Sequence, residues 1–274
     1  MTPSPGLDDD LTAREAALTA QIDALLAELN ALRPSTASTR YPPGLIGVLS
    51  TDLARWTWFS EALMCLERPR GCHLAWQKGL WIPYAVNQLV EQLRPEDEWI
   101  CILSDDLVFP ADLLVRMLDH QLPLVAPLVN LRAIPFQPSI FHDYGEEGGK
   151  AHYVGWTLED LDPLEGVIPV DTFGGPGCTI RREVLETLGQ PFFRMHPGED
   201  VVPFEDLYSF SRCRRAGFQP HVDLETSIIH CMPAGTRLVR GEDRKWLVEL
   251  WSHQTLGYMR PQLATDPESY LAYT

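Results

Sequence analysis

The chain has 274 residues, of which 45% are hydrophobic and 22% are charged, a composition typical of a folded domain with its own core. Its 22 Lys and Arg against 38 Asp and Glu give a net charge of −16, which disfavours DNA as a partner. No segment reaches the roughly 18 apolar residues of a membrane span, and the acidic N-terminus lacks a signal-peptide pattern. Six cysteines without a CxxC pair favour reduced thiols, so we expect a cytoplasmic protein.

The first predicted element is a helix over residues 11–33. Leucines recur there every seven residues, at Leu11, Leu18, Leu25 and Leu32. Two interpretations stay open: a helix lying on its own domain, or a short coiled coil that makes the protein a homo-oligomer. A polar linker follows, so we assign residues 1–40 to an N-terminal segment.

Strands and helices then alternate. Short apolar runs predict strands at 45–50, 98–104 and 122–130, and helical spacing predicts helices at 58–68, 81–94 and 111–120. This rhythm indicates an α/β fold with a mostly parallel central sheet and flanking helices. Ligands of such sheets bind beyond the carboxyl ends of the strands.

The second half of the chain departs from this rhythm. Residues 131–172 are rich in Pro, Gly and aromatics and predict loops with antiparallel strands. A strand and a helix follow in GGPGCTIRREVLETLG, then a helix at 205–216 and a strand at 221–230. We expect a main domain over 41–235. Residues 236–274 are predicted to form a C-terminal helix and tail, a candidate lid carrying Arg237, Arg240, Arg244 and Lys245.

The stretch ILSDDLVFP, residues 102–110, holds adjacent acids at the end of an apolar strand. Strand alternation puts Ser104 and Asp106 on one side and Asp105 on the other. One carboxylate at a strand end, with substrate phosphates and water, suffices for Mg²⁺ or Mn²⁺. The competing interpretation is that both acids only begin a turn before helix 111–120.

Several motifs together resemble the GT-A fold glycosyltransferases, in particular short bacterial and phage enzymes similar to family two. They are ILSDDLVFPADLLVRML, PLVAPLVNLR, DTFGGPGCTIRREVLETLG, FEDLYSFSRCRRAGF and IIH, in this order over about residues 44–232. The resemblance implies a GT-A (Rossmann-like) sheet and a metal-dependent hexosyltransferase. Such an enzyme moves a sugar from a UDP- or GDP-linked donor to an acceptor hydroxyl.

The resemblance also implies roles for individual residues. Asp106, in a DxD-like element whose first acid is replaced by Ser104, would hold Mn²⁺ or Mg²⁺ together with His230. Asp206, in the pair Glu205-Asp206, would be the base that activates the acceptor, which predicts inversion. The competing interpretations are acids that complement a helix dipole and a structural histidine.

Further residues are candidates for contact with the donor nucleotide or sugar. They are Ser50, Thr51, Asp52, Asn87, Ser104, Asp105, Arg132, Gly174 and Gly175. Asp171 is a second carboxylate for sugar hydroxyls, and His142 and Asp143 are candidates for the acceptor side. The acceptor itself stays open.

Two other functions stay open on the sequence. A nucleotidyltransferase also uses a Rossmann-like sheet and a metal-held aspartate, but the STDLARW segment lacks the Gly-rich, basic loop expected after the first strand. A non-catalytic sugar-nucleotide-binding protein, with a metal site weakened at Ser104, is the other alternative.

Overall fold

The computed structural model describes most of the chain after residue 40. The described residues are 41–50, 57–78, 81–132, 135–147, 150–195, 205–231, 235–251 and 256–259. The predicted N-terminal helix, with its coiled-coil alternative, and the candidates Thr51 and Asp52 lie outside them. Within the described part, no helix is long and apolar enough to cross a bilayer.

The first part of the fold follows the predicted alternation. In chain order the elements are β1 (Leu45–Ser50), α1 (Thr57–Cys65), β2 (His73–Lys78), α2 (Ile82–Val90), β3 (Trp99–Ser104), β4 (Leu107–Val108), α3 (Leu113–Asp119) and β5 (Leu124–Leu128). The predicted strands and helices of this part are confirmed. The sequence prediction missed β2, an edge strand whose side chains are mostly half-buried and therefore show no continuous apolar run.

The second part is richer in short strands. Its elements are β6 (Ile140–Glu147), β7 (Lys150–Gly155), α4 (Leu158–Leu161), β8 (Val167–Pro169), β9 (Thr172–Phe173), β10 (Thr179–Arg181), α5 (Arg182–Leu188), α6 (Glu205–Arg215), β11 (His221–Ser227), β12 (Ile229–Cys231), β13 (Gly235–Arg240), β14 (Trp246–Trp251) and β15 (Leu256–Met259). The antiparallel strands expected between 131 and 172 are confirmed as β6 and β7.

A seven-stranded central sheet, in the order β2-β1-β3-β10-β5-β11-β8, makes this a mixed α/β fold. Strands β2, β1, β3, β5 and β11 point the same way, whereas β10 and β8 run against their neighbours. The side chains of β3 alternate between two buried clusters: Ile100 and Ile102 join one, and Trp99, Cys101 and Leu103 join the other. Burial on both faces explains its unbroken apolar run.

The C-terminal part corrects one prediction, because residues 235–240, 246–251 and 256–259 form strands instead of a helix. With β12 and β4 they make a five-stranded antiparallel sheet in the order β15-β14-β13-β12-β4. Buried Thr236 and Leu238 alternate with the half-buried Arg237 and Val239, which is the period of a strand. The prediction gave weight to the arginines and overlooked this alternation.

Candidate functional site

A cavity of about 540 Å³ opens at the carboxyl ends of the parallel strands. Leu49 from the end of β1, Ser104 from the end of β3 and Asn130 just after β5 line it. Asp206 at the start of α6 and His230 on β12 line it as well. The location agrees with the expectation for an open α/β sheet.

Strand alternation separates the two adjacent aspartates, as predicted. Ser104 and Asp106 line the cavity, whereas Asp105 is buried outside its lining. The Ser50 hydroxyl donates to Asp105 Oδ2 across 2.8 Å, and the Asp105 N–H donates to Leu49 O across 3.0 Å. Ser50 and Asp105 therefore stabilise the end of β1 against the turn after β3.

The side chains of Arg132 and His230 both lie close to Asp106. Arg132 Nη1 donates to Asp106 Oδ2 across 2.6 Å, and His230 Nε2 lies 3.5 Å from the same oxygen. Burial works against ionisation of Asp106, but hydrogen bonding and charge from His230, with the charge of Arg132, outweigh it and lower its pKa. Asp106 is thus an ionised carboxylate at the cavity wall.

The backbone fixes the orientation of His230. Strand β12 pairs with β4 so that His230 lies opposite Leu107, next to Asp106 in the chain. His230 Nδ1 lies 2.9 Å from Asn130 O. A carbonyl oxygen only accepts, so Nδ1 carries a proton and donates it to Asn130 O, which leaves Nε2 as the ring atom nearest to Asp106.

Asn130 is a site residue that the sequence reasoning missed. Its side chain is fully buried, and Nδ2 donates to Leu131 O across 2.9 Å and to Thr236 Oγ1 across 2.8 Å. Among the described residues, neither Asn130 Oδ1 nor Asp106 Oδ1 has a hydrogen-bond partner, although both are buried. The sequence feature that could have indicated Asn130 is an asparagine at the end of an apolar strand, as in LPLVAPLVN.

These groups fit a divalent cation. Two buried oxygens without hydrogen-bond partners among the described residues, Asn130 Oδ1 and Asp106 Oδ1, and the nearby imidazole of His230 are ligand types that Mn²⁺ and Mg²⁺ accept. Within the described ranges, no group of three or more His, Cys, Asp and Glu side chains could hold a metal. A cation here would take its remaining ligands from water or a bound molecule.

Another part of the cavity lining is built around Asp206. The Gly175 N–H donates to Asp206 Oδ2 across 2.9 Å, and the Leu207 N–H donates to Oδ1 across 2.8 Å. Thr172 ties α6 to β9 by donating to Leu207 O across 2.8 Å. The glycine loop and the helix start thus hold both carboxylate oxygens in place.

Close packing explains the first glycine of this loop. A Cβ on Gly174 would lie 2.1 Å from Ser139 Oγ, whereas one on Gly175 would make ordinary contacts at 3.5 Å to Asp206 Cβ. Only a residue without a side chain fits at 174 while Ser139 keeps its position. Both glycines line the cavity, as expected for the loop.

The environment makes Asp206 a weaker acid than a free aspartate. Burial, with a further contribution from the Glu205 charge, raises its pKa to about 6, although three backbone hydrogen bonds act in the other direction. Glu205 is itself buried and lines the same cavity. A carboxylate with this pKa is ionised at neutral pH and still basic enough to accept a proton in a reaction.

Asn87 does not line the cavity, contrary to the expectation for a nucleotide contact. Its Nδ2 donates to Phe193 O across 2.7 Å, and its Oδ1 accepts from the Phe193 N–H across 3.0 Å. Phe193 does line the cavity. Asn87 therefore positions the loop at Phe193, with both ends of its amide engaged.

The acceptor-side candidates form a network outside the cavity lining. Asp171 accepts from the Asp143 N–H across 3.1 Å, pairs with Arg214 across 3.0 Å and lies 3.8 Å from His142 Nδ1. Asp143 pairs with Arg215 across 3.1 Å. These contacts join the β6–β7 hairpin to α6.

The C-terminal arginines, which were predicted to form part of a lid, do not line the cavity that holds Asp106 and His230. Arg237, Arg240 and Arg244 line a separate cavity of about 740 Å³. Arg237 pairs with Glu249 and Arg244 pairs with Glu165. Arg240 donates to Leu164 O and Asp162 O across 2.6 and 2.7 Å.

Comparisons with known proteins give distant structural likeness and no sequence match. No family model and no curated protein matches the chain. One similar solved structure is the viral protein A197 from STIV, with 13% identity and a TM-score of 0.47. The match covers 81% of this chain and 100% of that one. A likeness this distant carries no information on what this chain binds or catalyses.

Proposed function

We propose that the chain is a glycosyltransferase of the GT-A type, which transfers a hexose from a nucleotide diphosphate sugar to an acceptor hydroxyl. One observation supports this above all: Asp106, His230 and Asp206, from three separate segments, line one cavity. They are the residues to which the sequence resemblance assigns the metal and the base. The cavity volume, about 540 Å³, is also in the range of small-molecule sites.

The donor end of the site is the wall with Asp106 and His230. Asp106 and His230 Nε2 would hold Mn²⁺ or Mg²⁺, with Asn130 Oδ1 as a neighbouring oxygen. Bound there, the cation neutralises charge on the leaving diphosphate. Arg132 supplies a guanidinium for phosphate oxygens, and the Ser104 hydroxyl is a neutral partner for ribose.

The acceptor end is the wall with Asp206. Its carboxylate takes the proton of the acceptor hydroxyl as the new glycosidic bond forms. The Gly175 and Leu207 N–H groups orient both oxygens, and burial beside Glu205 gives the pKa of about 6 that suits a base at neutral pH. A base facing the donor across one cavity favours direct displacement, so we propose inversion at the anomeric carbon.

The cellular setting is part of the same proposal. All six cysteines are free. Burial raises the pKa of Cys101 and Cys213 to about 12, which suits inert core thiols in a reducing cytoplasm.

A donor screen tests the proposal. Thermal unfolding of the full chain is measured with a panel of UDP- and GDP-sugars, each with and without Mn²⁺. The donor should raise the melting temperature by mass action, more so with Mn²⁺, and Asp106→Ala should remove the metal-dependent part. If no nucleotide sugar stabilises the protein under either condition, the proposal fails.

A further inference from the structure

Arg132 binds Asp106, the carboxylate that would hold a metal. Its Nη1 lies 2.6 Å from Asp106 Oδ2, the same oxygen that lies 3.5 Å from His230 Nε2. The two partners differ in burial, since the Arg132 side chain is 57% exposed and the Asp106 side chain only 16%. A partly buried acid is therefore paired with an arginine that has room to move.

A divalent cation and this guanidinium compete for the same carboxylate. Mg²⁺ lies about 2.1 Å from a carboxylate oxygen, so a cation on either oxygen of Asp106 would be within a few ångströms of the Arg132 charge. Like charges that close repel strongly in a partly buried site. Binding of the cation thus favours departure of the arginine.

The released guanidinium has an anionic partner available in the proposed reaction. Arg132 and Asp106 line the same cavity, so a diphosphate bound to a cation at Asp106 lies within reach of the arginine. Its planar fork pairs with two phosphate oxygens at once, which a lysine cannot do. In the absence of a cation the same donors are engaged by Asp106.

We infer that Arg132 is an exchangeable counter-ion, which binds Asp106 in the empty site and a ligand diphosphate once a divalent cation has taken Asp106. The inference rests on the proposed function in that the ligand carries a diphosphate. Cation and diphosphate are then coupled through one side chain. By linkage, each raises the affinity of the site for the other by the same factor.

The first test measures metal alone. Binding of Mn²⁺ to the metal-free full chain is followed by electron paramagnetic resonance, which reports the free ion. Arg132→Ala should bind Mn²⁺ at least about five-fold more tightly than wild type, and Arg132→Gln should do the same. Arg116→Ala, which removes an exposed arginine paired with Asp112, is the control and should bind like wild type. Unchanged or weaker binding by both Arg132 variants, or no binding by any variant, overturns the exchange.

The second test measures inorganic pyrophosphate by calorimetry in buffer with a chelator. Asp106→Asn frees Arg132 without a metal and should tighten pyrophosphate binding relative to wild type by about five-fold. The same substitution in an Arg132→Ala background should give a clearly smaller gain. Equal gains in both backgrounds would mean that only the lost negative charge matters, and would overturn the role of Arg132.

Neither test uses a nucleotide sugar or measures turnover. If both give the expected results and no sugar nucleotide is a donor, the exchange stands and the transferase proposal fails. If a donor is turned over but Arg132→Ala leaves Mn²⁺ affinity unchanged, the transferase proposal stands and the exchange fails.

Discussion

As the pH rises, the Asp206→Asn variant should become more stable relative to the wild-type protein. The pKa of Asp206 in the folded chain is about 6, against 3.8 for an unperturbed aspartate. Between these values the folded state holds more protons than the unfolded state, so wild-type stability falls as pH rises through this window. Asparagine does not ionise and escapes this penalty.

The size of the effect follows from the two pKa values. One pKa unit corresponds to about 1.4 kcal/mol, so ionisation of Asp206 costs about 2 kcal/mol at pH 5 and about 3 kcal/mol at pH 7.5. Asparagine also loses one of the bonds from Gly175 and Leu207, because its amide nitrogen cannot accept. That loss is independent of pH. The stability difference between variant and wild type should therefore shift by about 1 kcal/mol toward the variant from pH 5 to pH 7.5.

Urea unfolding followed by tryptophan fluorescence at both pH values measures this shift. Asp112→Asn is the matched control, since it makes the same chemical change in an exposed ion pair with Arg116. The control should gain nothing as the pH rises. A flat or opposite pH dependence for Asp206→Asn would refute the argument that burial and Glu205 make Asp206 a weak acid.

The other predictions concern the metal, the rate and the core. Ser104→Asp adds a second carboxylate to the cavity, so it should lower the Mn²⁺ concentration that gives half-maximal transfer; a higher requirement would contradict the placement of residue 104. For wild type, kcat/KM of transfer should rise with pH through about 6 and stay level at higher pH, because Asp206 accepts a proton only when it is ionised. A pH profile without this rise would exclude Asp206 as the base. Gly44→Ala would bring a Cβ to 2.2 Å from the ring of the fully buried Trp99, so urea titrations should show a loss of about 1–3 kcal/mol or more in unfolding free energy. Gly155→Ala is the control, because the nearest contact of its Cβ would be at 3.6 Å, and it should lose much less.

Local patterns predicted much of the sheet and part of the cavity. The apolar runs of β1, β3 and β5 are visible in the sequence, and strand alternation placed Ser104 and Asp106 together on the cavity side. The position of the Asp106 carboxylate at the end of β3 follows from the direction of the chain and the two-residue alternation of strand side chains. The sequence could not show that Arg132 contacts Asp106, because that contact joins the ends of two different strands.

The parts that were missed depend on partners far away in the chain. Strand β10 has three residues and runs antiparallel between β3 and β5, and no local pattern carries strand direction. The C-terminal sheet exists because β12 pairs with the two-residue β4, which brings His230 to Asp106. Asn130 looked like the end of a strand, and only the buried oxygen without a partner marks it as a site residue.

Release of nucleotide diphosphate tests the central claim most directly. The full chain is incubated with Mn²⁺, each UDP- and GDP-sugar and a panel of hydroxyl-bearing acceptors, and free UDP or GDP is measured beside Asp106→Ala and Asp206→Asn. We predict that wild type releases the nucleotide diphosphate from one donor, that Asp106→Ala abolishes this release, and that Asp206→Asn abolishes acceptor-dependent release although it remains folded. If wild type releases no nucleotide from any donor, or if Asp106→Ala releases it as fast as wild type, the glycosyltransferase assignment is contradicted.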